Sequence, residues 1–189
     1  MFYKNPAAVH ASHNGLDPYG FSTEGLVLYL PLWALKDSAF KSVDAYRHTA
    51  TVTTAAWTPK GRSFDGVANY INAGSSAVFT LGTSDWTFGF WLYASALVDG
   101  SVIMATATGK KNILLSGVAG AIKIDIEGAS TWTSNAGLID AGNWIHLAIT
   151  KLGNDGTIYK NGQVFQTSAS AFTGANNTTS EALCIGYHN

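Results

Sequence analysis

Gly142-Asn-Trp-Ile-His-Leu-Ala-Ile-Thr-Lys-Leu-Gly-Asn-Asp-Gly-Thr-Ile-Tyr-Lys-Asn-Gly162 is the stretch whose reading decides the fold. Trp144 to Thr150 is β-branched and apolar with neither face clearly polar. That pattern predicts a strand buried on one face and shielded on the other. Gly153-Asn154-Asp155-Gly156 is a turn cluster, in which Asp155-Gly156 has the composition of a tight hairpin. Thr157 to Lys160 forms the next strand, and Asn161-Gly162 is the strongest hairpin signal in the chain, because a type I′ turn requires positive φ twice. Gln163 to Thr167 returns, so the stretch is a β-meander.

Outward from it, the same short-strand grammar recurs. Ser84 to Ala94 alternates: Trp86, Phe88, Phe90 and Leu92 share one face, while Thr87, Gly89, Trp91 and Tyr93 share the other. The first set is core. Further strands are expected at Leu26 to Leu32, Thr49 to Trp57, Ser101 to Ala107, Asn112 to Leu115 and Ala121 to Glu127, about a dozen in all, with Lys36 to His48 a polar connection. Residues 1–24 differ, being turn chemistry without period, as in Asn5-Pro6 and Asp17-Pro18-Tyr19-Gly20. They read as an extended N-terminal arm, followed by one domain over residues 25–189.

Several segments together resemble a known family. Trp-x-His-x-Ala-x-Thr beginning at Trp144, a turn, then Tyr159-Lys-Asn-Gly162 is similar to the signature of laminin-G-like jelly-roll domains of the concanavalin A-like lectin/glucanase superfamily. Gly25-Leu-Val-Leu-Tyr-Leu-Pro-Leu32 resembles that family's opening strand. Gly61-Arg-Ser-Phe-Asp-Gly66 with Tyr70-Ile71, Trp86-Thr-Phe-Gly-Phe-Trp91, and Leu183-Cys-Ile-Gly186 resemble its later segments in the same order. The resemblance implies an all-β, two-sheet antiparallel jelly-roll sandwich. Such domains usually carry one more strand after the last of these motifs, paired near the first, whereas here three residues follow. Residues 1–24 are expected to supply the missing cover, in cis or on a neighbouring subunit.

The family includes glycoside hydrolases with three alternating acids on one strand. Lys123-Ile124-Asp125-Ile126-Glu127 matches that spacing, but Lys123 stands at the nucleophile's position, and an ammonium cannot form the glycosyl ester. The expectation is therefore a protein that is not an enzyme. His10, His13, His48, His146 and His188 show no metal-ligand spacing, and His146 reads as a structural histidine within its strand. Calcium, bound by several superfamily members, has no clustered acids to hold it. Asp65 before Gly66 and Asp99 before Gly100 are as well explained as turn formers. The cofactor expectation is none, with calcium the open alternative.

Composition narrows the partners. Apolar residues make up 47% of the 189 and charged residues only 12%, which suits a chain that buries surface in an assembly. A net charge of −1 leaves no footprint for nucleic acid, and no apolar run is long enough for a membrane span. The single Cys184 excludes an intrachain disulfide and reads as a buried apolar position. The N-terminal residues lack the apolar core of a signal peptide. A lectin-like domain without leader or disulfide fits a phage virion protein released by lysis, or an extracellular protein whose leader has been removed. Two functions follow. One is a non-catalytic structural or adhesion protein of a virion, self-associating or meeting other virion proteins through its arm and open sheet edge. The other is a carbohydrate-binding module. Sugar stacking would use Trp91, Tyr93 and Trp132, aromatic side chains with polar neighbours. The competing reading covers Trp91 with loops.

Overall fold

The structure, a computed structural model, describes residues 2–4, 24–106, 111–116, 119–126, 131–174 and 181–186. In chain order the strands are β1 Phe2–Lys4, β2 Leu26–Leu28, β3 Ala39–Lys41, β4 Thr49–Thr53, β5 Ala56–Thr58, β6 Gly61–Ser63, β7 Tyr70–Ser75 and β8 Trp86–Tyr93. There follow β9 Val102–Thr106, β10 Lys111–Leu115, β11 Ile122–Ile126, β12 Trp132–Thr133, β13 Trp144–Leu152, β14 Asp155–Lys160, β15 Gln163–Ser168 and β16 Ala182–Gly186. Six form one antiparallel sheet in the order β15-β14-β13-β8-β1-β2. Eight form the other, β12-β11-β10-β9-β16-β7-β4-β3, also antiparallel throughout, and β5-β6 is a separate hairpin. This is the expected all-β sandwich.

The meander is β13-β14-β15, and its turns differ from the reading at one point. Asn161 and Gly162 take φ of 51° and 81° and join Lys160 to its partner Gln163, as a two-residue turn of positive φ requires. The preceding turn is Gly153-Asn154, not Asp155-Gly156. Leu152 pairs with Asp155, so both Asp155 and Gly156 already belong to β14. Gly156 is instead a packing position, backing onto the rings of Trp132 and Phe172.

Alternation sets what is buried. On β8, Trp86 and Phe88 point inward, and on β13 so do Ile145, Leu147 and Ile149. They meet Ile113, Ile122, Ile124 and Ile126 from the facing sheet. Each fully buried side chain of this size contributes about 1.5–3 kcal/mol. The sheet edges are irregular. The expected strand from Thr49 to Trp57 is two strands, broken at Thr54, whose φ is 52°. The polar connection after Lys36 contains β3, which hairpins onto β4.

Two family motifs acquire physical reasons. The Arg62 guanidinium donates to the carbonyls of Ala55, Leu35 and Asp37 at 3.1, 2.6 and 2.7 Å, tying the 35–37 segment to the β5–β6 hairpin. Gly186 has φ of 90°, and a Cβ there would lie 2.5 Å from Phe64 Cδ1, so only glycine lets β16 end against that ring.

The N-terminal residues enter the fold in cis. Phe2–Lys4 lies between β2 and β8, antiparallel to both, with Phe2 opposite Leu28 on one side and Phe88 on the other. The strand is thus inserted beside β2, on its inner side, and among the described residues β2 is the edge of the six-stranded sheet. The rest of the arm lies outside the described residues.

Candidate functional site

The same alternation that sends Phe88 and Leu147 inward pushes a second set of side chains out of the six-stranded sheet. On β8 these are Thr87, Gly89, Trp91 and Tyr93; on β13 they are Trp144, His146, Ala148 and Thr150. Register places Trp144 opposite Tyr93 and His146 opposite Trp91. The Tyr93 and Trp144 rings lie 5.7 Å apart at 44°, and those of Trp91 and His146 5.3 Å apart at 58°. The result is a two-by-two aromatic block facing solvent. Trp91 is 66% exposed, Tyr93 47% and Trp144 41%.

Exposed aromatic area of this kind is unusual on a sheet that already has a full core beneath it. A ligand would be held on it by stacking against the exposed rings. The concavity at the Asn161-Gly162 hairpin, about 210 Å³ and lined by Lys160, Asn161, Gln163, Val164 and Phe165, is smaller than an ordinary ligand pocket. His146 is positioned by its backbone, whose N–H donates to Asn161 Oδ1 at 2.9 Å. Partial burial lowers its pKa, so the imidazole is neutral at neutral pH.

Of the residues expected to meet sugar, two lie on this block and one does not. Trp91 and Tyr93 are exposed, and the reading that loops cover Trp91 is corrected. Trp132 is 7% exposed and packs edge-on to Phe172, ring centroids 5.6 Å apart at 84°. Its polar neighbours misled: β12 is a two-residue edge strand in which Thr133 faces solvent and Trp132, opposite Ile124, enters the core. Trp144 was missed, because the strand seemed shielded on both faces. Its signal was the period: Trp144 and His146 fall opposite Ile145, Leu147 and Ile149.

The acids serve other ends. Lys123 and Asp125 lie on the outer face of the eight-stranded sheet, 4.0 Å apart and both partly exposed, and Glu127 lies outside the described residues. Asp65 Oδ1 accepts the N–H groups of Val67, Ala68 and Asn69, as a turn former does. Asp44 accepts from the Tyr29 and Tyr46 N–H groups, and Asp85 from that of Gly153. Among the described residues no group of three or more His, Cys, Asp or Glu is placed to hold a metal ion. His10, His13 and His188 lie outside the described residues. No helix among the described residues is long and apolar enough to cross a membrane.

With this geometry in place, sequence comparison decides the family. A laminin-G family model, described as concanavalin A-like lectin/glucanases superfamily, matches residues 65–189. The chain belongs to the concanavalin A-like lectin/glucanase superfamily. Among curated proteins none matches it in sequence. Solved structures share its fold at low identity. A Trypanosoma rangeli sialidase in complex with 2,3-difluorosialic acid is 17% identical at a TM-score of 0.62, over 93% of this chain and 30% of the sialidase. The receptor-binding domain of botulinum neurotoxin C/D mosaic serotype is 11% identical at 0.59, over 80% of this chain and 44% of that one. A botulinum neurotoxin type C structure, concerned with cell entry through two ganglioside molecules, is 14% identical at 0.56, over 84% and 44%. This member of the superfamily therefore spans less than half the length of these structures.

Proposed function

We propose that the chain is a non-catalytic glycan-binding module, and that Trp91, Tyr93 and Trp144 form its binding platform. The observation that carries this reading is the exposed aromatic block on β8 and β13. Sugars present apolar C–H faces that stack on aromatic rings, and interface energy concentrates in Trp and Tyr anchors. The structural likeness to a sialidase and to a botulinum neurotoxin type C whose cell entry depends on two ganglioside molecules is consistent with a glycan partner. An extracellular setting, or the surface of a particle, suits such a module.

Glycan-array binding followed by titration tests it. Trp91→Ala is expected to weaken binding about tenfold or more, since truncating an anchor costs about 2 kcal/mol. Its melting temperature should stay close to that of the parent, because the ring lies outside the core. Unchanged affinity in both Trp91→Ala and Trp144→Ala would refute the platform. A second reading is a structural or adhesion protein of a virion, in which the block is buried between subunits. The 12% charged composition favours it. It expects an oligomer in solution that Trp91→Ala dissociates.

A further inference from the structure

We propose that the ligand of this face is an uncharged, extended glycan that runs from the aromatic block onto a row of threonine hydroxyls. The proposal rests on the glycan-binding reading above and names the class of glycan. Register aligns Thr87 with Thr150, Thr150 with Thr157, and Thr157 with Thr167. Four threonines thus stand side by side across β8, β13, β14 and β15, on strands about 4.8 Å apart. They lie on the same outward face as Trp91 and Trp144. Between the two features Gly89 pairs with Ala148, so the floor is low and nothing bulky on β8 or β13 separates block from row. Tyr159, opposite Ala148, flanks this floor on β14. From Tyr93 to Thr87 the surface runs six residues along β8, about 20 Å. That length exceeds a disaccharide.

Charge decides the ligand's character. The solvent face of a sheet ordinarily carries lysines and glutamates. Between Tyr93 and Thr87, the described outward positions of β8, β13, β14 and β15 hold Trp, Tyr, His, Gly, Ala, Val and Thr, with no carboxylate or ammonium. The nearest acid in register, Asp155, lies beyond the threonine row, and its Oδ1 accepts the Ser170 N–H. The lysines of these strands are turned away. Lys151 Nζ donates to the Thr83 and Ser84 carbonyls, and Lys160 Nζ to the Gly137 carbonyl and Asp140. The N-terminal ammonium adds to burial in lowering the His146 pKa and so bears on the block's end, but along the threonine row the described outward side chains of these four strands are uncharged, and hydroxyl-rich neutral chains meet hydroxyl partners there.

The test uses the full chain and named probes: a soluble neutral β-glucan, its oligosaccharides of two and six sugars, a sialylated oligosaccharide, and heparin. Wild type is expected to bind the neutral six-sugar chain at equal affinity in low and high salt, and the disaccharide more weakly. Thr150→Val/Thr157→Val keeps side-chain shape and strand propensity while deleting two hydroxyls. It is expected to weaken six-sugar binding about tenfold and leave the disaccharide unchanged. Equal loss, or no loss, for both lengths overturns the extension onto the threonine row. Stronger, salt-sensitive binding of the sialylated probe or heparin overturns the neutral class while leaving the glycan reading intact. No glycan bound, with a solution mass that Trp91→Ala halves, removes both and makes the face a contact between copies.

Discussion

Gly156→Ala separates two opposite expectations. Replacing a strand glycine of ordinary φ with alanine normally stabilises by about 0.4–1 kcal/mol, because the unfolded chain loses freedom. Here a Cβ would stand 2.6 Å from Trp132 Cζ3, 2.9 Å from Ala171 Cβ and 2.9 Å from Phe172 Cε2. Carbon atoms pack best at about 3.5–4.0 Å, so both rings would have to retreat by about 1 Å from a filled core. Overpacking of this kind costs about 1–3 kcal/mol. The steric term outweighs the entropic one, and the net expectation is a loss of about 1–2 kcal/mol. For a chain of this length that lowers Tm by about 2–8 °C. Urea and thermal unfolding followed by tryptophan fluorescence would read it. The loss should shrink in a Trp132→Phe background, since the two positions share the contact. An equal or higher Tm for Gly156→Ala would refute the packing reasoning, and with it the placement of Trp132 inside the core.

Three further outcomes follow from single groups. Burial lowers the pKa of His146, so the folded state favours the neutral ring and the unfolded chain binds the extra proton below about pH 6.5. Stability should be fully present above that value and fall as pH drops toward the lower folded pKa. Urea midpoints of wild type and His146→Gln across pH 7 to 5 should converge at the acid end; parallel curves would remove His146 as the cause. Asp65, whose pKa is lowered by the N–H groups of Val67, Ala68 and Asn69, should stabilise the fold above about pH 4 and lose that contribution as pH falls further, which urea midpoints of wild type and Asp65→Asn would read. Burial raises the Cys184 thiol pKa, so a thiol reagent should label it in denaturant and not in the native protein. A chain beginning at Asn5 lacks β1 and exposes the flanks of β2 and β8. It should melt lower and self-associate as concentration rises, and a monomer of unchanged Tm would show that β1 contributes nothing.

What the sequence made legible was the part fixed by period and turn chemistry. Trp86 and Phe88 were assigned inward by alternation alone, and Asn161-Gly162 marked its own hairpin. Burial of large residues outside that pattern was not legible. Trp132 sits among serines and threonines, yet its exposure is set by Gly156 and Phe172, both distant in sequence and absent from any local signal. Trp144 lies inside the best-read strand of the chain. The apolar residues around it hid the fact that Trp144 is 41% exposed on the second face of that strand. The threonine row is invisible along the chain because its four members come from four strands and align only once register is set.

The two outermost described strands are both interior ones. Phe2–Lys4 lies inside one sheet, and Ala182–Gly186 divides β9 from β7 inside the other. Phe2–Lys4 must therefore wait for Trp86–Tyr93 before it has a partner on that side, and the larger sheet stays in two parts until Ala182–Gly186 has left the ribosome. Contacts of such sequence separation make folding slow and leave unpaired edges exposed meanwhile. They also make it all-or-none: a fragment ending before residue 182 would lose the seam of a sheet, not a fringe, and a ribosome stalled there would hold two half-sheets open to other chains.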